Sequence, residues 1–107
     1  MSSQAPFRAL ADPTRREILR LLSQADMTVA QVSERFDMTR AAVKKHLIVL
    51  EEGGLITSHR KGRETINCLH AAGFAPVNDW LSFFEGYWDD KLAALGRALE
   101  TKPTEKD

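Results

Sequence analysis

Six cations fall close together in this chain: Arg40, Lys44 and Lys45 in the stretch MTRAAVKKHLIVLEEGG, then Arg60, Lys61 and Arg63 in HRKGRET. Guanidinium and ammonium groups only donate hydrogen bonds, so their natural partners are phosphate oxygens and the O6 and N7 acceptors of guanine. Ala41, between Arg40 and Lys44, is small enough for close approach or for contact with a thymine methyl. This is the chemistry of binding. No nucleophile–base pair stands in a glycine-framed context and no phosphate-binding loop occurs, so neither catalysis nor a cofactor is expected. His59 and His70 flank the second basic stretch, but a convincing metal site needs three or four ligands, so no metal is expected. Cys68 alternates with Ile66 and reads as a buried thiol acting as a small hydrophobe.

The first three cations need a helix to display them. Thr39 is an N-cap type whose hydroxyl can accept from an orphan N–H of the first turn, and Gly53-Gly54 is a stop signal. Between them Val43, Leu47 and Leu50 form one apolar stripe at 3.6-residue spacing, predicting a helix over 39–53. Arg40, Ala41, Lys44 and Lys45 fall away from that stripe, while His46 lies at its edge, placed equally well for a structural role or for reading bases. Upstream, Thr28 with Gln31 forms a capping-box pattern, and Val29, Val32 and Phe36 share a face, predicting a helix over 28–36. Asp37-Met38 is the tight turn between the two. A pair so joined, the second member basic, is a helix-turn-helix pattern; the plainer alternative is an ordinary helical hairpin.

The second set of cations needs a hairpin. Residues 55–69 read as two short strands around Lys61-Gly62, with glycine supplying a positive-φ turn position. Placed behind a reading helix, a basic hairpin serves as a wing; standing alone it would be only a solvated loop. The candidate DNA contacts are Thr39, Arg40, Ala41, Lys44, Lys45, His46, Arg60, Lys61, Gly62 and Arg63.

The flanks supply core and partner surfaces. Residues 1–5 and 101–107 are expected to be flexible. Phe7 and Leu10 face inward on a short helix, and Asp12-Pro13 opens the next, with Arg15, Arg16, Glu17 and Arg20 outside. Ser23–Met27 reads as a polar connection and His70–Pro76 as a connector. From Val77 to about Glu100 the pattern predicts one long helix. Trp80, Leu81, Phe84, Trp88, Leu92 and Leu95 share its apolar face, widened by Phe83 and Tyr87. That arc exceeds what one core covers, so a second copy of the chain is the expected partner.

The 107 residues carry 15 basic and 15 acidic side chains, a balance unlike that of a generic nucleic-acid binder. The distribution is uneven: residues 39–76 hold a net charge of +3 and residues 77–107 a net −3. A single domain covering 1–107, mainly α with a small β-hairpin, follows from the length and the pattern. No apolar run is long enough to span a membrane and no secretory leader is recognisable, and one cysteine suits a reducing cytoplasm.

The stretch ADPTRREILRLL, then MTVAQVSERFDMTRAAVKKHLIVLEEGGLI, then HRKGRETINCL resembles the ArsR/SmtB-type winged-helix repressors over about residues 5–70. The resemblance implies a homodimer paired through its first and last helices, with Phe7 and Leu10 on the first and Trp80, Leu81, Phe84, Trp88, Leu92 and Leu95 on the last as dimer contacts, and bound to a palindromic operator in double-stranded DNA near its own promoter. Metal-sensing members carry a Cys-x-Cys pair that would fall at Thr28 and Ala30, and a second site uses histidines on the last helix. Neither ligand set is present, so the resemblance implies the branch without metal sites. Release by a small ligand, a redox signal or a protein partner stays open, as does a protein-interaction module that has lost DNA binding.

Overall fold

The computed structural model describes the backbone of residues 4–106 and the side chains of residues 4–100. The chain forms two compact units that divide after Val77.

In the first unit α1 (Gln4–Leu10) is followed by α2 (Pro13–Gln24). Asp12 caps α2 by accepting from the Arg15 N–H at 3.0 Å, and Pro13 occupies the first helical position, where no N–H is needed. β1 (Met27–Thr28) leads into α3 (Val29–Glu34), and α4 (Arg40–Glu52) follows after a turn. Thr28 Oγ1 accepts from Gln31 N and the Gln31 side chain accepts from Thr28 N, so the capping box is complete. Thr39 caps α4 through Ala42 N at 3.1 Å, and Gly54, at φ 78, takes the left-handed position that ends it.

β2 (Ile56–Lys61) and β3 (Glu64–Leu69) form an antiparallel hairpin with Lys61 opposite Glu64. Gly62 sits at φ 65 in the two-residue turn, at the first position, where this hairpin class takes glycine. The sheet order is β1-β3-β2. Beneath it Ile18, Val32, Val43, Leu50, Leu55 and Ile56 are fully buried, each contributing roughly 1.5–3 kcal/mol by leaving water. Asn67, also buried, donates its side-chain amide to the Met27 carbonyl and ties β1 to β3. A 3-10 turn, Ala71–Phe74, completes the first unit before α5 begins.

The second unit holds most of α5 (Ala75–Phe83) and all of α6 (Glu85–Lys106). At their junction Phe84 is half-buried, and its ring lies 5.1 Å from those of Trp80 and Phe83, 6.3 Å from Trp88 and 6.4 Å from Tyr87.

Several expectations are corrected. The single helix predicted over 77–100 is two helices, starting at Ala75 and reaching Lys106. At the break Phe84 N bonds back three residues to Leu81 O, a tightened turn, before Trp88 N resumes α-helical bonding to Phe84 O. Apolar spacing is nearly blind to such a turn, and Gly86, a weak helix former, stands just beyond it. The polar connection predicted over Ser23–Met27 ends in strand β1, which pairs Met27 with Asn67 and Thr28 with Ile66. The helix predicted over 28–36 is shorter, with Thr28 as its cap and Glu34 as its last residue. Within the termini expected to be flexible, Gln4 and Ala5 belong to α1 and residues 101–106 to α6; residues 1–3 and 107 lie outside the described residues. Cys68 is only partly buried. Arg15, expected outside, is half-buried and bonded to the end of α1.

Candidate DNA interface

The basic residues of helix and hairpin meet along one side of the first unit. Thr39, Arg40, Ala41, Lys44 and Lys45 are exposed on the opening turns of α4, and Arg60, Lys61, Gly62 and Arg63 are exposed at the hairpin tip. Arg40 and Lys44 of α4, Arg60 and Arg63 of the hairpin, and Thr28 and Ala30 at the start of α3 line one depression of about 300 Å³. An adjoining groove of about 390 Å³ runs on between α4 and the sheet, past Ala41, Ile48, Glu51 and Ser58. Four cations from two elements therefore border one channel, with the Glu64 carboxylate also in its lining, so the lining keeps a positive balance that attracts a polyanion. The Arg60 guanidinium also bonds the Gly62 carbonyl at 3.4 Å, which holds that side chain at the tip.

His46 is the exception among the ten candidates. Its side chain is 22% exposed, and Nδ1 lies 3.5 Å from Arg15 Nη1 and 4.0 Å from Asp12 Oδ2. It is turned toward Arg15 and Asp12 of α2 and does not line the channel. Its sequence position at the edge of the apolar stripe had left both orientations open. Arg15 is the residue the pattern missed: its polarity reads as surface, and only the fold brings the α1 carbonyls within its reach.

The Asp12 carboxyl is held below its ordinary pKa, first by the Arg15 backbone N–H, against a smaller opposing effect of burial, and then by the Arg15 and His46 charges. Burial pushes the Cys68 thiol up, aided by the Asp26 carboxylate, and Cys68 Sγ lies 3.9 Å from His59 Nδ1. Among the described residues no group of three or more His, Cys, Asp and Glu side chains is arranged to hold a metal ion.

Among the expected dimer contacts, Phe7 and Leu10 are half-buried in the first unit, Leu10 packing against its core. In the second unit Phe84 is half-buried, while Trp80, Leu81, Trp88, Leu92 and Leu95 are exposed, together with Phe83, Tyr87 and Leu99.

Two helices joined by a turn, the second basic and followed by a basic hairpin, define a winged helix-turn-helix DNA-binding protein. A family model described as a helix-turn-helix domain matches residues 10–59. The transcriptional repressor SdpR of Bacillus subtilis is 34% identical over 86 residues, 80% of this chain and 96% of its own. The solved structure of an ArsR-like transcriptional regulator from Rhodococcus sp. RHA1 superposes with a TM-score of 0.68 at 34% identity, covering 87% of this chain and 88% of that one. The homodimeric winged helix-turn-helix domain Mb0332 of Mycobacterium bovis, at 23% identity, shares the fold with a TM-score of 0.64 over 78% of this chain and 77% of that one. The chain belongs to the ArsR family of winged helix-turn-helix transcriptional regulators. It is a DNA-binding regulator, and the members of its family are not enzymes. Among the described residues no helix is long and apolar enough to cross a membrane.

Proposed function

We propose that the chain is a homodimeric repressor that binds a palindromic operator, each copy placing α4 in a major groove and its β2–β3 wing on the adjoining backbone. The observation that carries this reading is the channel bounded by Arg40 and Lys44 on one side and by Arg60 and Arg63 on the other. Arg40 and Lys44 stand on the turns that approach base edges, where they match guanine acceptors. Ala41 permits close approach. Lys45, Arg60, Lys61 and Arg63 act on phosphates and fix register. Two reading helices then engage half-sites about one helical turn, ~34–36 Å, apart. The apolar face of the second unit, exposed in a single copy, supports pairing, and the M. bovis relative is itself described as homodimeric. With no cysteine at Thr28 or Ala30, repression does not depend on soft metals.

The test is a titration on a duplex selected by the protein from random DNA, beside a scrambled duplex, at several salt concentrations. Lys61→Ala with Arg63→Ala should weaken both duplexes alike and flatten the salt dependence by roughly one unit of slope per lost contact. Arg40→Ala should instead relax preference at particular base pairs, by about 1–3 kcal/mol for a bidentate contact. An equal loss on both duplexes for Arg40→Ala, or an unchanged slope for the wing pair, would contradict the division into reader and clamp.

A further inference from the structure

Arg15 joins three helices. Its Nε donates to the Ala9 carbonyl at 2.7 Å and its Nη2 to the Arg8 carbonyl at 3.1 Å, both at the C-terminal end of α1, where the Arg8 carbonyl also accepts from Ala11 N. Its backbone N–H serves the Asp12 cap of α2. Its Nη1 then reaches Nδ1 of His46, in the middle of α4, at 3.5 Å. The helices touch again at the end of α4: a Cβ at Gly53 would stand 3.0 Å from the Ala5 carbonyl oxygen and 3.0 Å from Ala9 Cβ. The reading helix is thus held against α1 at its end by close packing and at its centre by a polar bond.

Resting on the DNA-reading role above, we propose that Arg15 and His46 are a positioning pair that sets the rotation of α4, and with it sequence discrimination, without touching DNA. Arg40 and Lys44 precede His46 on the same rigid element, so a small rotation of the helix at His46 displaces both groups proposed to read bases. Base contacts are directional, whereas phosphate contacts tolerate displacement. Loosening the pair therefore reduces preference for the operator while leaving general DNA affinity in place.

His46 Nδ1 takes the bond as acceptor, since a guanidinium only donates, and Asp12 Oδ2 stands 4.0 Å from the same nitrogen.

The experiment measures the ratio of affinities for the selected and the scrambled duplex, using the full chain. Arg15→Gln and His46→Ala should each lower the ratio about tenfold, with scrambled-duplex affinity retained. The double variant should lose no more than either single one, the signature of a coupled pair. His46→Asn, whose amide oxygen can accept where Nδ1 does, should keep the wild-type ratio. If Arg15→Gln fails to fold, the two His46 variants carry the test. Losses that multiply in the double variant, equal losses on both duplexes, or a loss in His46→Asn as large as in His46→Ala would overturn the proposal. A wild type with no preference for any duplex would overturn the DNA-reading role and this inference with it; an intact wild-type ratio with unaffected variants would overturn the inference alone.

Discussion

Ser58 Oγ on β2 donates to the Glu51 carboxylate on α4, 3.2 Å from one oxygen and 3.3 Å from the other. The base of the wing is thereby bonded to the last turn of the reading helix. Both groups border the groove between helix and sheet, so the bond bears on how far apart the two basic elements stand. Because it is exposed, it adds little to folding, within about 1 kcal/mol. Ser58→Ala should leave the melting temperature nearly unchanged and weaken operator and scrambled duplexes together by a few-fold, through a looser wing. Thermal unfolding and a filter-binding titration read the two effects separately; a large fall in melting temperature would show that the bond serves stability instead.

The Asp12 cap predicts a pH-dependent stability. The folded state holds this carboxyl ionised more firmly than the unfolded chain does, so its contribution is complete above the ordinary carboxylate range. It fades as pH falls through the ordinary carboxylate range to the lowered folded-state value. Asp12→Ala should cost roughly 0.5–2 kcal/mol near neutrality, and the difference from wild type should shrink toward zero at acid pH. Urea melts at pH 7 and pH 3 measure it, and a difference that grows on acidification would contradict the assignment.

Pairing through the second unit should be steeply sensitive to charge. Leu81 and Trp88 are half exposed in the single copy, and burying a side chain of that size is worth roughly 1.5–3 kcal/mol. Leu81→Glu or Trp88→Glu should give monomers in sedimentation and lower operator affinity at least tenfold. Wild-type monomers at micromolar concentration would remove the basis for this reading.

Neither peroxide nor soft metals should release DNA. The raised Cys68 thiol is mostly protonated near neutrality, and the thiolate is the reactive form. Cys68→Ser should bind like wild type, and peroxide, Zn²⁺, Cd²⁺ or arsenite should leave gel shifts of both proteins unaltered. A stoichiometric metal effect, or a peroxide response that vanishes in the serine variant, would reopen the question of the inducing signal.

What could be read in advance depended on how local its cause is. Asp12-Pro13, Thr28 with Gln31, Thr39 and Gly62 act within four residues, and each stands where its chemistry placed it. The cations at 40, 44, 60, 61 and 63 follow from those stops, since caps and turn fix where the helix and hairpin begin and therefore which way they point. His46 and Arg15 were harder, because their partners come from other helices and a polar residue carries no mark of a distant carbonyl. β1 is only two residues long, too short for any alternation to register, and exists through a partner far along the chain. The break at Phe84 escaped notice because apolar spacing continues across it almost undisturbed.

The Asn67–Met27 tie spans 40 positions in the chain. Closing so long a loop costs entropy before the contact returns anything, whereas the helix caps and the β2–β3 turn form at short range. The hairpin should therefore zip early and acquire its third strand late, near the end of the folding reaction. Thr28 is both the last residue of that strand and the cap of α3, so the helix that starts the DNA-binding motif reaches its final place only when the strand docks. Native-state exchange of the Thr28 and Gln31 amides should accordingly proceed through a partial opening that leaves the hairpin intact, and a nascent chain becomes able to bind DNA only after residue 67 has been synthesised.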